Sequence, residues 1–248
     1  MLTLIKSPFI EFKLTILRNK KTSNSLFRQT MNEISYLIAA DVLQHLKYKK
    51  ITVQTPLVKT SGLIILNPPI IVPILRAGLG LIEGFVKFLP DVEKGHIGLY
   101  RDEQTYEPVE YLCKLPKTKN KTIFVLDPML ATGNSSSAAI DLIKGRGVKI
   151  KDIKLISLLA APEGVKNLTK KQKGLHIFTC SLDKNLNKNK NIVIGFGITE
   201  KTIASLKKAD GLVVGSVLCK EISKSIKKRQ NPVTNVTNIV KRLREKIA

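Results

Sequence analysis

Apolar positions recur at helical spacing between residues 25 and 47. Phe27, Met31, Ile34, Ile38 and Val42 fall near one face, with Leu37 and Leu46 beside them, which predicts a helix packed on a core. Residues 50–66 change to a loose alternation containing Pro56 and Gly62, the pattern of an extended arm or hairpin. Beyond Pro68 and Pro69, the run Ile70-Ile-Val-Pro-Ile-Leu75 is almost continuously apolar. A short run of that kind reads as a strand buried in a parallel sheet. Arg76-Ala-Gly-Leu-Gly80 follows, then a helix through Leu89. Residues 95–101 predict another strand, ending in Arg101, and a polar loop covers Asp102 to Glu107.

A third strand is predicted over 121–126 and stops at Asp127-Pro128. The small-residue segment Met129-Leu-Ala-Thr-Gly133-Asn-Ser-Ser-Ser137 leads into a helix over 137–145, closed by Gly145 and Gly147. A fourth strand is expected over 153–159, ending near Pro162-Glu163-Gly164, and a fifth over 175–180. Beyond it come a strand at 192–194, a short helix at about 199–208 and a strand at 211–214. An amphipathic helix begins near Val217, and a basic one covers 235–247 after Pro232. Strands alternating with helices predict an α/β fold. Its mostly parallel sheet is flanked by helices, with an N-terminal helical/hairpin arm and a C-terminal β-α-β-α extension. Working loops then belong at the carboxyl ends of the strands.

Charge changes the picture less than its size suggests. The 248 residues carry 42 Lys+Arg against 19 Asp+Glu, a formal net charge of +23, which points toward a polyanionic partner. A hydrophobic fraction of 43% and a mean hydropathy of +0.03 exclude a disordered basic tail. With five Tyr, eight Phe and no Trp, platforms for stacking bases are scarce, and nucleic acid is not the expected partner. Residues 166–190 hold seven Lys and one Asp, read as a solvated surface. The three cysteines, Cys113, Cys180 and Cys219, form no Cys-x-x-Cys pair, so neither a disulfide framework nor a zinc knuckle is expected. Three His are too few for a His-rich metal site, and no protein-ligated metal is expected. No apolar run approaches the ~20 residues that cross a bilayer, and the first 16 residues lack a leader-type apolar stretch. The expected setting is soluble and reducing: the cytoplasm, or the stroma if the gene is organellar.

The candidate chemistry lies in two strand-end segments. In Phe124-Val-Leu-Asp-Pro-Met-Leu-Ala-Thr-Gly-Asn-Ser135, a strand ends on a carboxylate and a small-residue loop enters a helix. Backbone N–H groups of such a loop wrap a phosphate, and Thr132 and Ser135 add hydroxyl donors. Asp127 repels phosphate and suits ribose hydroxyls or the neighbourhood of a metal. A capped strand-to-helix turn with no ligand fits the same residues. In Leu75-Arg-Ala-Gly-Leu-Gly80, an arginine ends a buried strand, and its forked donors match a diphosphate. Arg101 ends the next strand in the same way. Either arginine alone would equally suit a salt bridge. Together with the Asp–Thr–Ser loop they favour a phosphorylated sugar.

These segments resemble the uracil phosphoribosyltransferase family from about residue 5 to about residue 190. The likeness rests on Ser7-Pro-Phe-Ile-Glu-Phe-Lys-Leu14, Val72-Pro-Ile-Leu-Arg-Ala-Gly-Leu-Gly80, Tyr100-Arg101 with Glu107-Pro108, Asp127-Pro-Met-Leu-Ala-Thr-Gly133 and Ala160-Ala-Pro-Glu-Gly164. The resemblance implies the phosphoribosyltransferase α/β fold. It also implies transfer of the 5-phosphoribosyl group from 5-phosphoribosyl 1-diphosphate (PRPP) to uracil, giving UMP and diphosphate. It assigns PRPP binding to Arg76, Arg101, Asp127, Pro128, Met129, Leu130, Ala131, Thr132, Gly133, Asn134 and Ser135. Arg76, Arg101 and Asp127 are the expected catalytic residues. Mg2+ accompanies the diphosphate, GTP acts as an effector in some members, and the family forms homodimers or larger homo-oligomers. Where the family has a second glycine, this chain has Asn134, a residue that accepts unusual backbone angles more readily than most.

The tail departs further. Ile192 and Gly197 match uracil-contacting positions, whereas Ile198 replaces the family's PRPP-contacting Asp and Thr199 an Ala. All four are the expected uracil site. The loss of that carboxylate leaves an alternative, a catalytically impaired PRPP- or nucleotide-binding protein with a regulatory or structural role. Residues 191–225 resemble the end of the tryptophan synthase alpha chain, through Val193-Ile-Gly-Phe-Gly-Ile198 and Ala209-Asp-Gly-Leu-Val-Val-Gly-Ser216. There Gly197, Gly215 and Ser216 match phosphate-holding positions. The expected division is a uracil phosphoribosyltransferase-like domain over 1–190 and an atypical extension over 191–248.

Overall fold

Period-two burial along the apolar runs builds the central sheet. The computed structural model describes residues 1–101, 108–183, 193–194, 211–212, 216–228 and 230–245. Within it Ile71 of strand β4 (Ile70–Leu75), Phe124 and Leu126 of β8 (Ile123–Leu126), and Ile156 and Leu158 of β10 (Ile153–Ala160) face one layer of core. Phe178 of β11 (His176–Leu182) joins them. Their neighbours Ile70, Val72, Ile123, Val125, Ile153, Leu155 and Ile177 face the other. Side chains alternate across a strand, so continuous apolar runs demand helices on both faces. The first layer is closed by α1 (Pro8–Arg18), α2 (Asn24–Leu43) and α3 (Ile82–Phe88), which bury Ile10, Leu14, Met31, Ile34, Ile38, Val42 and Phe85. The second is closed by α4 (Asn134–Gly145) and α5 (Pro162–Lys171) through Ala139, Ile140, Ile143 and Leu168.

The sheet runs β1-β11-β10-β8-β4-β6-β7, with β5 (Glu93–Lys94) beside β4 and β9 (Met129–Leu130) beside β10. β1 is Leu2–Leu4, β6 His96–Arg101 and β7 Pro108–Lys114. Every pairing is parallel except β6 with β7. The expected strands at 70–75, 95–101, 121–126, 153–159 and 175–180 are all present. So is the arm: β2 (Tyr48–Gln54) and β3 (Lys59–Ile65) form an antiparallel hairpin. The pattern reading had no strand at 2–4 and no helix at 162–171. The helix expected over 137–145 begins three residues earlier, at Asn134, because Gly133 at φ +83° turns the chain directly into it.

The chain divides into two compact units, the first holding the described residues of 1–101 and 108–183, the second those from 193 onward. In the second, β12 (Val193–Ile194) pairs in parallel with β13 (Gly211–Leu212). Helices α6 (Ser216–Lys227) and α7 (Pro232–Glu245) follow. They are joined by Asn235 Nδ2 donating to Ser225 Oγ at 3.0 Å. The expected loop at 102–107 and helix at 199–208 lie outside the described residues, as do Ile192, Gly197, Ile198 and Thr199. Among the described residues no helix is long and apolar enough to cross a membrane. Cys113, Cys180 and Cys219 are free thiols. Burial, with a smaller contribution from Asp41, pushes the Cys180 thiol up to about 12.

Candidate active site

Strand order opens the site. From β4 the chain crosses through α3 to β6 on one side, whereas from the neighbouring β8 it crosses through α4 to β10 on the other. Adjacent strands whose connections leave in opposite directions part at their carboxyl ends, and a crevice forms there. It is a cleft of about 260 Å3. One wall is Ile74, Leu75, Arg76 and Ala77, and Leu99 of β6 adjoins them. The other is Asp127, Met129, Ala131, Thr132, Gly133, Ser135 and Ser136.

The first wall is held by close backbone approach. A short 3-10 turn, Ala77–Leu81, follows Arg76, and the Leu75–Arg76 peptide is cis. A β-carbon on Gly78 would lie 2.4 Å from the Leu126 carbonyl oxygen, so only glycine lets this turn sit on the end of β8. Arg76 is exposed and free to reach into the cleft from its rim.

The second wall is a loop whose backbone is largely committed. The Asp127 amide donates to Ile156 O at 3.1 Å, and Pro128 O accepts from the amides of Leu158 and Leu159 at 3.1 and 3.0 Å. The Ala161 amide donates to Leu130 O at 2.9 Å. A β-carbon on Gly164 of α5 would come within 2.3 Å of the Ala131 oxygen. The loop is thus clamped between β10 and α5. Its small residues bring the start of α4 to the cleft through Gly133, Ser135 and Ser136; the first amides of a helix lack partners inside it, and the positive end of the helix dipole lies there. Beside them Ser136 Oγ donates to Asp127 Oδ2 at 2.8 Å. That bond helps to fix the carboxylate's orientation, and a carboxylate is an acceptor of the kind that polyol hydroxyls seek.

Most of the expected loop residues meet here: Arg76, Asp127, Met129, Ala131, Thr132, Gly133 and Ser135 all line the cleft. Pro128, Leu130 and Asn134 do not. Leu130 is 1% exposed and belongs to the core beneath the loop. Asn134 Oδ1 accepts from Lys171 Nζ at 3.3 Å. The residue in the left-handed region is Gly133, and Asn134 already opens α4, so its tolerance of unusual angles is not called on. Arg101 ends β6, paired in register with Pro108. The pattern reading missed Ser136, which is buried and continues the serine run that supplied Ser135, and Leu99, which no local signal marks. Among the described residues no group of three His, Cys, Asp or Glu could hold a metal ion.

A sequence profile described as uracil phosphoribosyltransferase matches residues 4–199. The chain belongs to the uracil phosphoribosyltransferase family. It is 47% identical over 197 residues to the uracil phosphoribosyltransferase of Finegoldia magna, covering 79% of this chain and 93% of that one. It is 47% identical over 195 residues to that of Streptococcus thermophilus, covering 78% and 92%. Among solved structures, the AQ2163 protein of Aquifex aeolicus superposes with a TM-score of 0.70 at 31% identity, over 76% of this chain and 90% of that one. The family match runs past residue 190 to Thr199. It therefore takes in Ile192, Gly197, Ile198 and Thr199, the first part of the segment likened to the tryptophan synthase alpha chain.

Proposed function

We infer that the cleft at the carboxyl ends of β4 and β8 is a PRPP site and that the protein is an enzyme of pyrimidine salvage. It transfers the 5-phosphoribosyl group from PRPP to uracil, giving UMP and diphosphate. One observation carries the reading: an arginine-bearing turn and a loop rich in amides and hydroxyls face each other across a single cleft, in a chain 47% identical to uracil phosphoribosyltransferases. The amides at the start of α4, with Thr132 and Ser135, suit the 5′-phosphate. Asp127, oriented by Ser136, suits the ribose hydroxyls. Arg76, with Arg101 assigned by the family likeness, suits the diphosphate.

In the reaction the bond from the anomeric carbon to diphosphate breaks as the bond to the uracil nitrogen forms, and that nitrogen's proton is released. The transition state carries oxocarbenium character, and negative charge grows on the leaving diphosphate. Guanidinium groups already in position stabilise that charge more than they stabilise the ground state. No covalent nucleophile is required. Among the described residues the cleft holds one carboxylate, which suits a magnesium ion that arrives on the substrate phosphates. When bound there, the ion neutralises part of the diphosphate charge.

The family likeness assigns uracil to Ile192, Gly197, Ile198 and Thr199, and the family match that runs to residue 199 supports that assignment; the catalytic domain is 1–190, and the residues of 191–248 extend it. The protein acts as a homodimer or larger homo-oligomer. This is supported by the β2–β3 hairpin, which exposes Leu57, Val58 and Leu63 at 90%, 62% and 65%, more apolar surface than an arm in water favours. A cytoplasmic setting and a response to GTP belong to the same proposal. Incubation with labelled uracil, PRPP and magnesium, with and without GTP, tests it. UMP formation is expected, and PRPP binding without product would favour the impaired alternative.

A further inference from the structure

We infer that the amino ends of β4, β8 and β10 form a second anion site, one that takes a chain of phosphates. A cleft of about 710 Å3 lies there, lined among the described residues by seven Lys and Arg residues against one carboxylate, Asp152. The cations come from separate parts of the sequence: Lys47 after α2, Lys119 and Lys121 before β8, Arg146 after α4, and Lys149 and Lys151 before β10. The seventh is Lys154, within β10 itself. Among the described residues only Lys121 of the seven is ion-paired, with Glu93 at 3.3 Å.

Lys154 makes the cleft more than a solvated lysine surface. It is half-buried, and its Nζ lies 6.0 Å from the centre of the Phe178 ring. No carboxylate comes within ion-pairing distance of it among the described residues. Burial holds its ammonium below the usual lysine range, with Asp152 opposing. A cation partly withdrawn from water, in a cleft whose charged lining is mostly positive, is the group that gains most from an incoming anion. Hydroxyl and amide groups of Thr118, Thr122, Asn67 and Asn120 add neutral hydrogen-bonding capacity. Among the described residues His45 is the one ring in the lining, and Leu46 and Val148 are the only large apolar side chains there. The wall can therefore neutralise several phosphates but has little with which to stack a base, which favours a short polyphosphate chain over a nucleic acid.

This cleft shares no lining residue with the PRPP cleft. The two lie at opposite ends of the same strands, and the five steps along β8 from Thr122 of one lining to Asp127 of the other span about 16 Å. That exceeds the ~10 Å Debye length at 0.1 M salt, so the two sites should bind independently.

The test uses inorganic tripolyphosphate as probe, by calorimetry on the full chain, with the PRPP cleft disabled by Arg76→Ala. Tripolyphosphate is expected still to bind, with an affinity that falls steeply with salt. Combining Lys119→Glu, Lys149→Glu and Lys151→Glu should weaken that binding at least tenfold. The same triple change in the otherwise unaltered protein should leave both UMP formation and thermal midpoint unchanged. Nucleoside triphosphates binding as tightly as tripolyphosphate would mean that the chain itself is read whatever it is attached to. Tripolyphosphate binding alone would identify an inorganic chain as the source. Undiminished binding by the triple variant, or loss of all binding through Arg76→Ala alone, would overturn the site. So would a single-stranded oligonucleotide binding far more tightly than tripolyphosphate. Absence of UMP formation with tripolyphosphate binding intact would count against the catalytic reading and not against this one.

Discussion

The two ends of β4, β8 and β10 carry clefts of opposite construction. At the amino ends, seven cations line a wide cleft of about 710 Å3. At the carboxyl ends, a cleft of about 260 Å3 holds one arginine and one carboxylate, and most of its polar capacity is backbone and hydroxyl. Counting charges would place the chemistry at the wrong end. Most of those charges, on Lys47, Lys119, Arg146, Lys149 and Lys151, are exposed to solvent. The small cleft, by contrast, has donors fixed by hydrogen bonds to β10 and by the close approach of Gly78 and Gly164. Fixed donors stabilise a transition state without reorganising at the moment of reaction.

The largest expected effect breaks the small cleft at its cation. Arg76→Ala should lower kcat/KM for UMP formation by about 100- to 1000-fold, the range seen when a transition-state donor worth roughly 3–4 kcal/mol is lost. Steady-state rates with uracil and PRPP measure this. An unchanged kcat/KM would remove Arg76 from the mechanism.

Next comes the clamp. Gly164→Val forces a side chain against the Ala131 carbonyl. The expected cost is about 1–3 kcal/mol of stability together with a raised KM for PRPP. Denaturant melts and KM values should move together. A melt displaced without any change in KM would mean that α5 does not set the loop's shape.

Ser136→Ala is milder. It leaves the Asp127 carboxylate without the bond at 2.8 Å. A hydrogen bond to a charged group contributes about 1.5–3 kcal/mol, so KM for PRPP should rise about tenfold or somewhat more, with kcat little changed. Ser136→Thr keeps the hydroxyl and should restore most of the affinity. A change in stability with KM untouched would make the bond purely structural.

The smallest effect belongs to the amino end. His176, which shares a hydrogen bond of 2.8 Å with Thr3 Oγ1, is lowered from 6.5 to about 4. Burial is the main cause, followed by the charges of Lys154, the N-terminal amine and His45. Between these two values the unfolded chain binds a proton that the folded chain refuses. Stability is therefore whole above pH 6.5 and is lost as pH falls toward 4. His176→Gln should flatten that part of the profile relative to the unaltered protein, while leaving UMP formation at pH 8 as it was. Denaturation midpoints at pH 4.5 and 7.5 read the difference, and equal slopes in both proteins would rule His176 out as its source.

Local signals carried the elements that their own residues define. Ile70–Leu75 and Ile123–Leu126 are strands because their apolar runs are buried on both faces, and Arg76 and Asp127 stand out as the polar residues that end them. Leu130 was read as a ligand contact because it sits in the motif. Its neighbour Met129 is 56% exposed, while Leu130 itself points into the core. β1 escaped because three residues make no pattern: its strand exists through pairing with β11, and the Met1 amine donates to Leu175 O from 174 residues away. The basic cleft was illegible for the same reason, since Lys47, Lys119 and Lys151 are distant along the chain and meet only where the strands begin.

Alternating strands and helices, the hairpin arm and the polar residues at the strand ends all follow from short-range preferences. They were present in the amino-acid order before any fold was known. Which strand ends become neighbours was not. That follows from the order β10-β8-β4-β6, set by hydrogen bonds between segments far apart in sequence and by helices filling both faces. Only in that order do the loops after β4 and β8 part in opposite directions. The parting brings Arg76 and Asp127 to one cleft and gathers the scattered lysines at the other end.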